Sequence, residues 1–468
     1  MKRGLLLFII LIMMISVSGL ASCGTQQEET LPNYSEYGDD GTLNLDGRTF
    51  VFAQDKIDDV DSVLGYTRDS IYSDMAEARI KSIENEINCK ISLTMSLGLG
   101  GSVQTALMSN FSAGLIPCEL VYFGSDNANM RAAQAGVLYP LDDLLDLSNY
   151  GKFGTPNVLE CCMANGSTYG VIAASWPQKP LEGNMTSVFI IDENLIKRYN
   201  LEDPRDFYEQ NIWNWSKLEE ITPLFHINDG EREIKTFIGH PNYFARGFFS
   251  SYGLTFVYND NGALKSFTEN PKTLEALNWG KQYTTAYQND FAFVDRWDSW
   301  TDLINGDCVM ALNETTGIHN ASEELENFGF VPFPIADGND KGTTYTYFST
   351  YTTTSIYLGV EDPEACATII DMLFEPFEGY ETEQDMIDFL YKTMFFDMRD
   401  AKLYMQLYKS AIYDYYGIGG TAYHAIQNRY LSASPIELLQ SLEGTDSEVI
   451  EKYIIPNYAV LEAYWNSK

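Results

Sequence analysis

The sequence predicts an α/β protein of two or three domains, and three observations carry that prediction. At 468 residues the chain is too long for one small core. Between residues 47 and 123, short apolar strand patterns alternate with segments of helical period. Hydrophobic residues make up 45% and charged residues 21%, a balance that folds rather than stays disordered.

The elements follow in order. Gly47–Ala53 reads as a first strand. Asp74–Asn88 places Met75, Ala78, Ile83 and Ile87 at helical spacing, and Cys89–Met95 is the next strand. Val103–Ser112 reads as a helix and Glu119–Phe123 as a third strand. This alternation implies a doubly wound lobe with a largely parallel sheet, whose ligands would sit at the carboxyl ends of the strands. A second lobe begins after Trp176, with a strand at Ser187–Ile191 and a helix at Asn194–Tyr199. Ser216, with Glu219 three residues on, reads as the cap of a further helix. Thr273–Gln288 is a long helix, Cys308–Leu312 a strand after an Asn-Gly turn, and Asp362–Phe374 a helix with Pro363 in its first turn. From about Glu381 to Lys468, helices rich in Tyr and Leu dominate.

The N-terminus carries an export pattern. Lys2 and Arg3 precede an almost unbroken apolar run from Leu5 to Val17, so residues 1–22 read as a signal peptide. Leu20-Ala21-Ser22-Cys23 matches a bacterial lipobox, which makes Cys23 the expected lipidation site, carrying palmitate-type acyl chains. Residues 23–43 then read as the lipidated Cys and a polar, acidic, flexible tether. The expected place is the outer face of the cell membrane. Six further cysteines are scattered with no CxxC pair, which excludes a zinc ribbon, and free thiols are expected.

Charge excludes a large class. With 30 Lys+Arg against 66 Asp+Glu, the net charge is −36 and no basic stripe exists. Such a chain cannot displace counterions from a phosphate backbone, so nucleic acid is not a partner. Aromatics reach 14%, which suits the stacking of flat ligands and equally suits core filling.

Four ordered stretches resemble the bacterial extracellular solute-binding proteins of ABC transporters, the family-1-like sugar-type group that includes maltodextrin binders. The first is Ser112-Ala113-Gly114-Leu115-Ile116-Pro117 into Leu120–Phe123, followed by Gly136-Val137-Leu138-Tyr139-Pro140-Leu141-Asp142-Asp143. The second is Asn165-Gly166-Ser167-Thr168-Tyr169-Gly170-Val171. The third is Ile190-Ile191-Asp192-Glu193-Asn194-Leu195 with Trp215-Ser216-Lys217-Leu218. The fourth is Asn305–Leu312 with Phe328-Gly329-Phe330-Val331-Pro332-Phe333-Pro334. Cys118-Glu119 stands where the family has Pro-Asp, and Ile190-Ile191-Asp192 where it has Tyr-Asn-Lys. These departures bear on the solute more than on the fold.

The resemblance implies two doubly wound α/β lobes joined by a hinge, with the ligand cleft between them, as in type II periplasmic binding proteins. Lobe one would hold 44–175 and 350–376, and lobe two 185–345 and 382–468, with crossings near 174–186, 345–352 and 376–383. It also implies a monomeric receptor that passes its solute to ABC permease subunits, with no cofactor and no metal. A carbohydrate is favoured, because sugar faces need aromatic plates and sugar hydroxyls need carboxylates, amides and Arg. Expected ligand contacts in lobe one are Phe123, Ser125, Asp126 and Asn127, although Asp126 would serve equally as a helix cap. Trp176 stands at the first crossing, where it stacks ligand or packs the hinge. From lobe two come Tyr243, Phe244 and Arg246, then Glu314, Thr315 and Thr316; Tyr345 and Tyr347 stand near the second crossing. Trp297 and Trp300 read as helix packing.

Other chemistry lacks its motifs. The four histidines are isolated, and neither HExxH nor GxSxG occurs. Asp337–Gly342 begins like a calcium loop but has Lys341 at a ligand position. Two alternatives remain open at this level: a surface glycan-active enzyme with a glycosidase-like carboxylate pair, and a receptor for peptides or other small organic solutes.

Overall fold

The computed structural model describes residues 36–37, 43–54, 62–68, 70–94, 103–124, 128–177, 185–230, 232–260, 263–339, 346–348, 352–413 and 421–457. The signal segment and Cys23 lie outside the described residues. The chain divides into two units, Met1–Leu45 and Asp46–Lys468. In the first, Glu36–Tyr37 pairs antiparallel with Leu43–Asn44, within the stretch read as tether.

The second unit opens with strand β1 (Arg48–Gln54), whose Phe50 and Phe52 are buried. Helix α1 (Ile71–Glu86) starts at a reciprocal cap, Ser70 bonding the Ser73 amide and Ser73 the Ser70 amide. It leads to β2 (Cys89–Thr94), parallel to β1. Helix α2 (Val103–Ser112) leads to β3 (Leu120–Phe123), parallel to β1 on its other side. All four residues of β3 are buried, as expected for a strand covered on both faces. Helix α3 (Ala128–Gln134) follows, and a hairpin pairs Met163–Ala164 with Ser167–Thr168. Its two-residue turn is Asn165-Gly166, at φ 53° and 80°, the sequence that a mirror-image hairpin turn requires.

Lobe two is built around β4 (Val188–Asp192), buried at all five positions. Asp192 ends the strand and caps α4 (Glu193–Tyr199) through the amides of Asn194 and Leu195. Next come α5 (Pro204–Glu209), capped by Asp203, and α6 (Trp215–Phe225). The cap of α6 is Asn214, whose side chain accepts from the Lys217 amide, and not Ser216 as the sequence pattern suggested. Ser216 instead donates its hydroxyl to Asp337 at 2.6 Å. Then follow β5 (Glu233–Gly239), α7 (Pro241–Ser250), α8 (Pro271–Ala286), β6 (Ala292–Phe293), β7 (Cys308–Asn313), α9 (Thr315–Glu324) and β8 (Phe328–Pro332). The sheet runs Ile227–Asn228, β5, β7, β4, β8, with β6 also paired to β5. Strands β5, β6 and β7 are mutually parallel, while β4 is antiparallel to both its neighbours. One aromatic cluster fills the space under α7 and α8: Phe244 faces Phe237, Trp279, Tyr283 and Phe291.

The chain then returns to lobe one. Strand β9 (Thr353–Ile356) adds antiparallel to β3 and completes the order β9–β3–β1–β2. Helix α10 (Pro363–Leu373), capped by Asp362, packs on α1. Four helices belonging to lobe two follow: α11 (Glu383–Thr393), α12 (Met398–Ser410), α13 (Thr421–Arg429) and α14 (Pro435–Leu442), with short helical turns over Ser447–Ile454 after them.

Two crossings leave lobe one side by side. Trp176 stacks on Phe377 at 4.7 Å and on Tyr66 at 5.8 Å, and its indole N–H donates to the Glu375 carbonyl at 3.3 Å. The Arg79 guanidinium bonds the carbonyls of Met372, Glu375 and Pro376. Beside these crossings a cleft of about 260 Å³ separates Tyr150–Thr155 from α11 and α12.

Cys89, Cys118, Cys308 and Cys366 are free thiols and buried, and Cys162 is buried as well. Burial pushes the Cys89 thiol up to about 11 and that of Cys118 up to about 12, so both stay protonated and unreactive. Glu160 is also buried, and burial alone pushes its carboxyl well above the ordinary carboxylate value. A raised folded pKa gives stability that is present below the unfolded value and is lost as pH rises through the folded one. Glu160→Gln is therefore expected to raise the Tm at pH 8 and to flatten its decline between pH 5 and 8. An unchanged Tm–pH profile would show that Glu160 reaches water.

Candidate functional site

Three parallel strands of lobe two end at one edge, and each delivers polar or aromatic residues there. Strand β5 ends at Gly239, where a Cβ would lie 2.7 Å from the Leu312 Cβ, so only glycine lets β5 and β7 approach this closely. His240 follows and caps α7, its Nδ1 accepting from the Asn242 amide at 3.1 Å. That bond assigns the ring proton to Nε2, which points toward Asp295 at 3.9 Å. Burial lowers the His240 pKa; Asp295 opposes this and Arg246 adds to it, so the ring is neutral at pH 7.

Strand β6 runs into Asp295 and Trp297. The indole of Trp297 stacks on the His240 imidazole at 3.8 Å and 18°, and meets Tyr243 edge-on at 5.2 Å and 73°. Trp297 is nevertheless 52% exposed, so one face of the plate is open. The loop carrying it is tied to β7. The Asn313 amide donates to the Trp297 carbonyl at 2.9 Å and to the Ser299 hydroxyl at 2.8 Å, and Ser299 donates to the Leu312 carbonyl. Arg296 pairs with Asp298 on the same loop and with Asp302 in the helical turn that follows, Trp300–Ile304.

Strand β7 ends at Asn313-Glu314, and α9 begins. Glu314 is half-buried, and its carboxylate is bonded by the Tyr243 hydroxyl. Burial, and then this carboxylate, push the Tyr243 phenol far above its ordinary value, while Arg246 opposes them. Arg246 lies three residues beyond Tyr243 on α7 and is buried. The edge thus offers an open indole plate, a neutral imidazole beneath it, and carboxylates from Asp295 and Glu314. These are the groups that take an apolar ring face and a rim of hydroxyls.

The expected contacts are distributed unevenly around this edge. Tyr243, Arg246 and Glu314 meet there, and Thr316, two residues beyond Glu314, is exposed. Thr315 is buried, with its amide and hydroxyl bonded to the Met185 backbone. Tyr347 is buried and donates its hydroxyl to the Leu254 carbonyl. Phe123 and Phe244 are fully buried in the cores of their lobes, since each faces the packed side of its element rather than the strand-end edge. Trp176 is 1% exposed and packs the crossings, the second of the two roles expected of it. Ser125, Asp126, Asn127 and Tyr345 lie outside the described residues. His240 and Trp297 were not among the expected contacts; the polar run Asp295-Arg296-Trp297-Asp298 was the available signal. Among the described residues no group of three or more His, Cys, Asp or Glu could hold a metal ion, and no helix is long and apolar enough to cross a membrane.

Two α/β lobes, each built on a sheet with parallel strands and joined by adjacent crossings, make the type II periplasmic-binding-protein fold. Residues 80–378, well over half the chain, match the family described as bacterial extracellular solute-binding protein, and the chain belongs to that family. No curated protein sequence matches it. Solved structures share the fold at low identity. A cyclo/maltodextrin-binding protein complexed with maltotetraose is 12% identical, with a TM-score of 0.60 over 86% of this chain and 97% of that one. The GacH receptor of Streptomyces glaucescens, solved unliganded and with acarbose, is 13% identical, with a TM-score of 0.57 over 87% and 99%. UgpB from Mycobacterium tuberculosis, in complex with glycerophosphocholine, is 16% identical, with a TM-score of 0.53 over 81% and 95%.

Proposed function

We propose that this solute-binding protein captures a carbohydrate, an oligosaccharide above all, between its lobes and passes it to an ABC permease without chemical change. The observation that carries this reading is the half-exposed Trp297 plate on His240, flanked by Asp295 and Glu314. Structures of the same fold in complex with maltotetraose and with acarbose support it. The lipobox Leu20–Cys23 supports attachment to the outer face of the cell membrane through a lipid on Cys23, and the net charge of −36 argues against a nucleic-acid role. Ligand bridging the two lobes would shift an open–closed equilibrium, and that shift is the signal the permease reads.

Thermal unfolding of residues 24–468 against oligosaccharides, monosaccharides and short peptides tests the reading. A ligand at a hundred times its Kd adds about 2.7 kcal/mol, a shift of a few degrees. One class of oligosaccharide is expected to raise the Tm and to be recovered intact. Stabilisation by peptides alone would discard the sugar, and turnover of the bound glycan would replace the receptor with an enzyme.

A further inference from the structure

After α14 the chain stays with lobe two. Ile450 and Ile454 enter the same apolar cluster as Ile426, Leu438 and Leu442. The Asp446 carboxylate accepts from the Ala422 amide and the Ser266 hydroxyl, both at 3.1 Å. Three residues past Ile454 the chain touches lobe one. The Asn457 Oδ1 accepts from the Gly166 amide at 2.8 Å, and its Nδ2 donates to the Met163 carbonyl at 3.1 Å. Both partners belong to the Asn165-Gly166 hairpin, whose turn would otherwise present these groups to water. Asn457 is 1% exposed, and the backbone fits closely: a Cβ on Gly166 would lie 2.8 Å from the Pro456 carbonyl oxygen.

The hairpin itself is anchored in lobe one. The Asp142 carboxylate accepts from the Thr168 amide at 3.0 Å, and the Leu141 amide donates to the Thr168 carbonyl. Met130, Leu159, Cys162 and Ile172 of lobe one also join the apolar cluster otherwise formed by lobe two. The lobes therefore meet along an apolar face, and the two-pronged bond of Asn457 ties them across it.

We propose that Asn457 is a clasp holding the lobes in the arrangement seen here, and that it releases when they open. The ratio of open to closed forms is then set by the C-terminal segment as well as by the crossings and the solute. A carboxamide matches a peptide group donor for acceptor, so it can bind the turn and let go without covalent change. Two such bonds shift an equilibrium by roughly 5- to 100-fold.

The proposal rests on the two-lobe fold and not on the identity of the solute, so it is tested without any ligand. Amide hydrogen exchange on the unliganded protein compares Gly166, held by the clasp, with Thr168, held within lobe one. Gly166 is expected to exchange at least tenfold faster than Thr168. Asn457→Ala is expected to remove Gly166 protection, leave Thr168 protected, and enlarge the radius of gyration in small-angle scattering. Asn457→Asp keeps the acceptor but sets a carboxylate against the Met163 carbonyl, and should act in the same direction. Equal exchange at the two amides in the wild type, or an unchanged radius of gyration in both variants, would overturn the clasp. A variant that loses Thr168 protection as well would assign Asn457 to the folding of lobe one, and would also overturn it.

Discussion

Replacing Arg205 by Met is expected to cost about 3–5 kcal/mol of unfolding free energy, because it leaves a buried carboxylate without its counter-charge. Arg205 is 3% exposed and touches three acids. Its Nη1 lies 2.8 Å from Asp400, and its Nη2 lies 2.7 Å from Glu193 and 2.6 Å from Asp203. Glu193 begins α4, Asp203 caps α5 and Asp400 is on α12, so one guanidinium pins the C-terminal helices to the body of lobe two. Gly329 on β8 makes room for it: a Cβ there would lie 2.1 Å from Nη1. Asp400 is fully buried, and burial pushes its carboxyl up to about 7 even with Arg205 opposing. Burial also raises Glu193 and Asp203, but bonds from Lys197 and Arg205 to Glu193, and from Arg205 to Asp203, outweigh it and hold both below the ordinary value.

The signs are opposite. The contribution of Asp400 is present at low pH and lost as pH rises through about 7; those of Glu193 and Asp203 are present above their unfolded values and lost as pH falls. Without Arg205 the Asp400 carboxyl must stay protonated, so the deficit should be larger at pH 8 than at pH 5. Urea unfolding at the two pH values measures it. The double variant Arg205→Met, Asp400→Leu should recover most of the loss, since an apolar pair can replace a buried ion pair. A single variant within about 1 kcal/mol of the wild type would mean that water reaches Asp400.

Long elements were legible in the sequence because period alone identifies them. Strands β1, β2 and β3, and helices α2, α8 and α10, lie within a few residues of the expected spans. Caps were less legible. Ser216 and Asn214 are both good cap residues two positions apart, and only the tertiary bond from Ser216 to Asp337 decides between them. Tyr243, Arg246 and Glu314 were expected from the family resemblance, and the structure brings these three together at the strand-end edge. The site was illegible at Trp297. Strand β6 has two residues, too few for any period, and its pairing with β5 is what puts Trp297 at the strand-end edge. Phe123 fails for the converse reason. A strand buried on both faces has no alternation to say which side chain leaves the core.

Truncating Trp297 to Ala is expected to weaken carbohydrate binding about ten- to a hundredfold while leaving the Tm almost unchanged. Loss of a stacked aromatic face removes both its buried area and its ring-specific attraction, together about 1.4–2.8 kcal/mol. The two effects separate because the indole is half exposed: its inner face already rests on His240, while the open face contributes nothing to folding. His240 keeps the plate level. With Nδ1 occupied by the Asn242 amide, the imidazole cannot rotate, and the indole inherits its orientation. Trp297→Phe should therefore retain part of the affinity, and His240→Ala should lose affinity through tilt of the plate. Calorimetric titration with the sugar that stabilises the wild type gives each value. An unchanged Kd for Trp297→Ala would move the sugar platform elsewhere in the cleft. A Tm that falls as steeply as the affinity would make Trp297 a packing residue, as the sequence alone had implied.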